Sequence, residues 1–93
     1  MTIRRRRSAI GELFGAAVMR LRKAKGWDRW TLARRAGISD TYMRLIEYGD
    51  NVPTLSVIVE LAAVLGVTPA ELVRQGTERR PAEDPPALPP VSP

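Results

Sequence analysis

Cationic side chains dominate the first half of this chain, and their chemistry is that of binding phosphate groups. Residues 1–44 hold twelve arginines and lysines against three acidic residues, a net charge of +9, whereas residues 45–93 carry −4. Four of the arginines, Arg4–Arg7, are consecutive. Because like charges repel, residues 1–9 are read either as a solvated tail or as an arm that binds phosphates or a minor groove. The asymmetry favours a nucleic-acid partner over a chance surface bias.

The composition excludes most catalytic and metal chemistry. The 93 residues include no cysteine and no histidine, and the ten acidic residues show no spacing typical of a metal site or a carboxylate pair. We therefore expect no catalytic residue, no metal, no cofactor and no enzymatic activity. The longest apolar run, Val57–Val67, is interrupted by Glu60 and Gly66, so no membrane span is expected. A single small cytoplasmic, nucleoid-associated domain is the expectation.

Residues 27–49 have the spacing of two short helices joined by a tight turn. Asp28 and Ser39 are of the type that caps helix N-termini, and Gly37 and Gly49 permit the left-handed backbone of a turn or a helix end. The residues at helical spacing for the buried faces are Leu32, Ala33, Ala36, Met43 and Ile46. The second helix then turns Thr41, Arg44 and Leu45 outward. A short exposed helix held by a rigid turn fits the major groove of DNA.

Three further helices complete an all-α domain over residues 10–75. They are predicted at Ile10–Lys25, at Leu55–Leu65 after a Thr54 cap, and from Thr68-Pro69 to Arg74 or Gln75. The predicted buried residues of these helices, with Trp27 beneath the turn, are Ile10, Phe14, Val18, Leu21, Leu55, Ile58, Leu61, Ala62, Leu65, Leu72 and Val73. Residues 76–93 contain six prolines and little to bury, which predicts an extended, disordered tail.

An ordered set of landmarks resembles the Xre family, the lambda-repressor-like or Cro/repressor-type helix-turn-helix domains. The resemblance covers residues 12–74. The landmarks are Gly15, Arg22, Leu32-Ala33, Gly37, Ile46-Glu47-x-Gly49, Pro53, Leu61-Ala62 and Leu65-Gly66-Val67. It implies a compact five-helix lambda-repressor-like domain that binds operator DNA, usually as a homodimer.

The resemblance also implies that the third helix, residues 39–47, enters the major groove with its N-terminal end foremost. The candidates for base contact are then Ser39, Asp40, Thr41, Tyr42 and Leu45. The candidates for phosphate contact are Arg29, Arg44, Tyr48, Asn51 and the arm residues Arg4, Arg5, Arg6 and Arg7. Ser39 is also a cap, and Arg34 and Arg35 add to the general positive field.

Three of these positions keep two interpretations each. Asp40 either accepts from a cytosine amino group or stabilises the helix N-terminus by its charge. Tyr42 either donates a hydrogen bond from its hydroxyl to a base or a phosphate, or packs across the surface of the helix. Leu45 either contacts thymine methyl groups or is an exposed leucine without a role.

The same resemblance implies an ion pair between Arg22 in the first helix and Glu47 near the end of the third. A carboxylate at a helix C-terminus meets the negative end of the dipole and needs a cation.

Two positions depart from the family. Thr31 replaces the usual capping-box glutamate, and Trp30 stands where a polar residue is common. Three roles are open for Trp30: it shields the first helix, contacts a partner, or lies against the DNA backbone.

Two functions follow. The first is a sequence-specific transcriptional regulator that binds double-stranded DNA, as a homodimer on an inverted repeat. The alternative is an antitoxin that represses its own operon and binds a toxin protein, through the proline-rich tail or the surface around Trp27 and Trp30. A restriction-modification controller or a phage-type switch protein is equally compatible. A helical adaptor that does not touch DNA is a weaker reading.

Overall fold

The computed structural model describes residues 9–78, and within them the chain forms five α-helices and no strand. They are α1 (Ala9–Ala24), α2 (Arg29–Ala36), α3 (Asp40–Tyr48), α4 (Leu55–Leu65) and α5 (Pro69–Thr77). The expected all-α, five-helix architecture is confirmed. The predictions for residues 1–8 and 79–93, which include the basic arm and most of the proline-rich tail, lie outside the described residues.

Each helix from α2 to α5 begins at the cap that the sequence predicts. The side chains of Asp28, Ser39, Thr54 and Thr68 each accept a hydrogen bond from the backbone N–H three residues later, at 2.8–3.3 Å. Such a bond satisfies one of the amide donors that a first helical turn leaves free. The four caps therefore fix where the helices start.

Glycines end three of these helices and α1. Gly26, Gly37, Gly49 and Gly66 all have positive φ, between 74° and 84°. In this left-handed conformation the amide of Gly37 reaches back to the carbonyls of the last turn of α2, which closes the tight turn before α3. Glycine adopts it without the steric cost that a Cβ would add. Because these glycines end the helices abruptly, the connections between α1, α2, α3, α4 and α5 are short.

The core lies where all five helices meet. It is built from Phe14 and Val18 of α1 and from the buried residues of the other helices, namely Leu32, Ala33, Ala36, Met43, Ile46, Leu61, Ala62, Leu65 and Leu72. Half-buried side chains that pack against this core include Leu21, Trp27 and Ile58. The stripes predicted from helical spacing are confirmed at these positions.

Three residues predicted to be buried are exposed instead. Ile10 and Leu55 are 53% and 72% exposed. Both lie in the first turn of their helices, where side chains tilt toward the N-terminus and so away from the core. Val73 is 38% exposed because its neighbour Leu72 occupies the buried side of α5.

The fifth helix also runs further than predicted, to Thr77 rather than Arg74 or Gln75. Gly76 lies inside it and is buried against Phe14 of α1, where an added Cβ would come within 2.6 Å of the ring. Glycine normally disfavours a helix interior. Here close packing of α5 on α1 offsets that preference, which local sequence rules do not include.

Within residues 9–78, no single helix has the length and apolarity needed to cross a membrane. Among these residues, α4 and α5 have the required length and apolarity when they are counted as one segment, but the two helices are bent by 104° relative to each other. Leu61, Leu65 and Leu72 of this pair are buried in the core.

Candidate nucleic-acid interface

The third helix is held at both of its ends. The Ser39 hydroxyl accepts from the backbone N–H of Tyr42 at 3.0 Å, and Gly49 closes the helix with φ of 84°. Between them, Met43 and Ile46 are fully buried in the core. The exposed side of α3 is therefore presented from a fixed position, which a surface that reads DNA requires.

An ion pair fastens α3 to α1. Arg22 donates from Nε to Glu47 Oε2 at 2.7 Å and from Nη2 to Glu47 Oε1 at 3.0 Å. Its remaining nitrogen, Nη1, donates to the backbone carbonyl of Trp27 at 2.8 Å. The Glu47 side chain is fully buried and that of Arg22 is 11% exposed. One guanidinium thus joins α1, α3 and the segment that leads into α2, and it holds the carboxylate through a forked pair of hydrogen bonds.

A close backbone approach supports the same junction. Gly15 of α1 faces the end of α3, and a Cβ placed there would clash with the carbonyl oxygen of Ile46 and lie 2.6 Å from that of Glu47. Only a residue without a side chain permits this separation. The sequence showed Gly15 as a landmark of the resemblance, but its partner across α3 becomes visible only in the fold.

Arg29 and Asp40 meet where the N-terminal ends of α2 and α3 come together. Arg29 Nε donates to Asp40 Oδ1 at 3.4 Å, with side chains 30% and 38% exposed. Partial burial lowers the pKa of Arg29, but the Asp40 carboxylate and the nearby Tyr48 hydroxyl outweigh it and raise the pKa overall. A candidate phosphate contact and a candidate base contact are therefore paired with each other in the unbound protein, which the sequence did not indicate.

The other candidates differ in exposure. Ser39, Thr41 and Arg44 are exposed, and Tyr48 is 48% exposed. Leu45 and Asn51 are half-buried, and Tyr42 is half-buried and packs against the core. The arm residues Arg4–Arg7 lie outside the described residues. Thus the N-terminal half of α3 offers hydroxyl, carboxylate and guanidinium groups on one accessible side.

Two arginines expected to add only a general field have specific partners. The guanidinium carbon of Arg34 lies 4.6 Å from the ring centre of Trp30, and that of Arg35 lies 4.6 Å from the ring of Trp27, beside Lys25. Trp30 itself is 55% exposed. The spacing of four residues between Trp30 and Arg34 on one helix is the signal that could have indicated their contact.

Comparisons with known proteins agree with this geometry. A family model described as a helix-turn-helix domain matches residues 13–75. A helix-turn-helix-type transcriptional regulator of Sinorhizobium fredii, y4dJ, is 39% identical over 62 residues, which are 67% of this chain and 80% of that protein. YazB of Bacillus subtilis, of the same description, is 33% identical over 61 residues, 66% of this chain and 88% of its own.

A solved structure is similar across the whole domain. The restriction-modification controller protein C.AhdI of Aeromonas hydrophila superimposes with a TM-score of 0.68 at 35% identity, covering 70% of this chain and 98% of its own. With this match, the family model and the two regulators, the capped α2–turn–α3 unit has a clear assignment: the chain belongs to the helix-turn-helix family of DNA-binding transcriptional regulators, of the Xre type.

Proposed function

We propose that this protein regulates transcription by placing α3 in the major groove of a specific operator. The observation that carries the proposal is the exposed N-terminal half of α3, with Thr41 and Arg44 facing solvent while Met43 and Ile46 fix the helix in the core. Thr41 offers a hydroxyl to a base edge, and Asp40 offers an acceptor to a cytosine amino group.

Backbone contacts would orient this helix. Arg29 starts α2, Arg44 lies on α3, and Tyr48 and Asn51 lie at and after the end of α3. Cations and polar groups on both sides of a reading helix set its register along the phosphate backbone. Arg29 would then exchange part of its contact with Asp40 for a phosphate oxygen, which leaves the carboxylate able to accept from a base.

We also propose that the protein binds as a homodimer on an inverted repeat. Support comes from an apolar surface that follows the C-terminal end of α3: Val52, Leu55 and Val59 are 52%, 72% and 43% exposed. An apolar surface of this kind is complementary to a copy of itself across a two-fold axis. An axis beside the end of α3 leaves both N-terminal ends free to enter successive major grooves.

The test of the first proposal is selection of bound duplexes from a random pool, followed by titration of the selected duplex at two salt concentrations. We expect one enriched sequence, and half-sites separated by about one helical turn if the dimer forms. Thr41→Ala is expected to relax the preference at one base pair. Salt-sensitive binding without any enriched sequence contradicts sequence-specific reading.

The dimer has its own test. Leu55→Glu places a charge in the apolar surface and is expected to give a monomer by light scattering and loss of binding to the full repeat, with weak binding to a half-site retained. Ala70→Glu, at an exposed position on α5, is the matched control and should leave the assembly unchanged. A monomeric wild-type protein that still selects an inverted repeat contradicts this interface.

A further inference from the structure

The outward side of α2 forms a basic cleft that the reading of DNA by α3 leaves unused. Its lining residues are Trp30, Thr31, Arg34 and Arg35, around a volume of about 300 Å³. Helical spacing places these positions opposite the side of α2 that carries Leu32, Ala33 and Ala36 into the core. We call the four lining residues the α2 cleft.

The chemistry of the α2 cleft is that of a site for an acidic, extended peptide. Trp30 presents a ring that is 55% exposed, with the guanidinium of Arg34 stacked on it at 4.6 Å. Stacking holds a guanidinium plane in place and leaves its N–H groups free to form a forked pair with a carboxylate. Exposed aromatic rings in a groove are also the feature that binds proline-rich segments.

The chain itself contains a segment of matching chemistry. Residues 81–93 include six prolines and no basic residue, and within them Glu83 and Asp84 directly precede Pro85 and Pro86. We propose that this segment binds the α2 cleft of the same chain, with a carboxylate of Glu83 or Asp84 on Arg34 and the following prolines against Trp30. Proline limits the conformations of a free segment, so less entropy is lost when it binds.

The segment is long enough to reach. The buried Gly76 near the end of α5 contacts Phe14 of α1, and α1 continues from there to Ala24, about 15 Å at 1.5 Å per residue. Trp27 and the start of α2 follow within a few residues. At about 3.1 Å per residue, the rise of an extended proline-type conformation, eight residues beyond Thr77 would span about 25 Å. Glu83 to Pro85 therefore come within range of the cleft.

DNA phosphate is the competing occupant, and two observations disfavour it. The α2 cleft lies on the side of α2 away from the core, whereas the Arg29–Asp40 contact faces α3 at the proposed DNA edge. In addition, the exposed indole of Trp30 offers apolar area that a proline ring covers and a hydrated phosphate does not. The inference does not depend on operator binding, and its test contains no DNA.

The experiment uses the full chain and follows the indole N–H signals of its two tryptophans, Trp27 and Trp30, by NMR. The variants are Glu83→Gln with Asp84→Asn, and Pro85→Ala with Pro86→Ala. Glu60→Gln, an exposed glutamate of α4, is the matched control. We expect both segment variants to move the Trp30 signal and the control to leave it in place. Loss of these two carboxylates should lower the ratio of bound to free segment by roughly two- to tenfold.

The reciprocal measurement follows the segment. Trp30→Ala and Arg34→Gln replace exposed side chains, and both are expected to shift the backbone amide signals of Ala82 and Ala87. A Trp30 signal that ignores every change in the segment overturns the proposal. Shifts that grow with protein concentration overturn it as well, because they indicate the segment of a second copy. The proposal is also overturned if the amide signals of Ala82 and Ala87 are the same in the wild type and in Trp30→Ala.

Discussion

Arg22 and Glu47 form a buried, two-bonded ion pair, with nitrogen–oxygen distances of 2.7 and 3.0 Å, that joins α1 to the last turn of α3. Within residues 9–78, no buried side-chain nitrogen or oxygen lacks a hydrogen-bond partner. This junction satisfies Glu47 and, through the Trp27 carbonyl, also fixes the approach to α2. The orientation of α3 thus depends on one arginine in a different helix.

The first prediction concerns this pair. Arg22→Ala leaves a buried carboxylate without a cation and is expected to lower the free energy of unfolding by about 3–5 kcal/mol, well above the 0–1 kcal/mol typical of exposed pairs. Arg22→Lys retains the charge but not the fork, so it should fall between Arg22→Ala and the wild type. The double change Arg22→Met with Glu47→Met should cost less than Arg22→Ala. Urea unfolding measures all three, and a shift within error for Arg22→Ala refutes the role assigned to the pair.

The second prediction concerns Gly15. Gly15→Ala would raise helix propensity by about 1 kcal/mol in isolation, yet its Cβ would meet the carbonyls of Ile46 and Glu47. We expect a net loss of stability, because two backbones must separate. Ala16→Gly, at the exposed neighbouring position, measures the propensity term alone in the same helix. If thermal unfolding shows Gly15→Ala to be stabilising, the close approach of α1 and α3 is wrong.

The third prediction separates Arg29 from Asp40. Asp40→Ala removes a carboxylate from the proposed DNA edge and frees Arg29, so binding to non-specific duplexes should strengthen while the ratio of specific to non-specific affinity falls. Arg29→Gln should weaken binding to all duplexes and reduce the slope of log K against log salt concentration by roughly 0.9. Fluorescence anisotropy at several salt concentrations measures both. An Asp40→Ala protein that loses stability but keeps its full preference would assign Asp40 to stabilising α3 alone.

The fourth prediction tests the basic arm, which lies outside the described residues. Replacing Arg4–Arg7 with glutamine should reduce the slope of log K for DNA binding against log salt concentration by up to about 3.6. Each neutralised phosphate contributes roughly 0.9 to that slope. Arg20→Gln, on the exposed surface of α1 beside α5, serves as the comparison. An unchanged slope in the arm variant means that the arm makes no phosphate contact.

The fifth prediction concerns acid stability. Hydrogen bonds from Arg74 and Gln75 lower the pKa of Glu71 from 4.5 to about 2, and bonds from the N–H and hydroxyl of Thr31 lower the pKa of Asp28. A carboxyl with a depressed pKa in the folded state stabilises the protein above its unfolded pKa, and this is lost as pH falls through the folded pKa. For Glu71 the loss falls between about pH 4.5 and pH 2.

Glu71→Gln should therefore reduce the slope of the unfolding midpoint against pH in this window, and added salt should reduce the wild-type slope because the Glu71–Arg74 pair is partly exposed to solvent. Glu60→Gln is the control. Equal slopes for the wild type and Glu71→Gln below pH 4.5 would exclude this contribution.

The sequence by itself determined the elements and, except at the C-terminal end of α5, their ends to within a residue. Caps such as Asp28 and Ser39, and left-handed glycines such as Gly37, act on their own neighbours, so local rules place α2 and α3 to within a residue. Helical periodicity identified the main buried stripe, since that pattern is also set along one helix. The family resemblance supplied the five-helix architecture and pointed to Arg22 and Glu47, which lie 25 residues apart.

Only the tertiary structure decided what depends on two helices meeting. The exposure of Leu55 and Ile10, the continuation of α5 through Gly76, the backbone approach at Gly15 and the Arg29–Asp40 contact all depend on the relative placement of helices. Periodicity fixes which side of a helix is apolar but not how far along the helix a neighbour covers it. Contacts between side chains distant in sequence therefore follow from packing, which local sequence patterns do not contain.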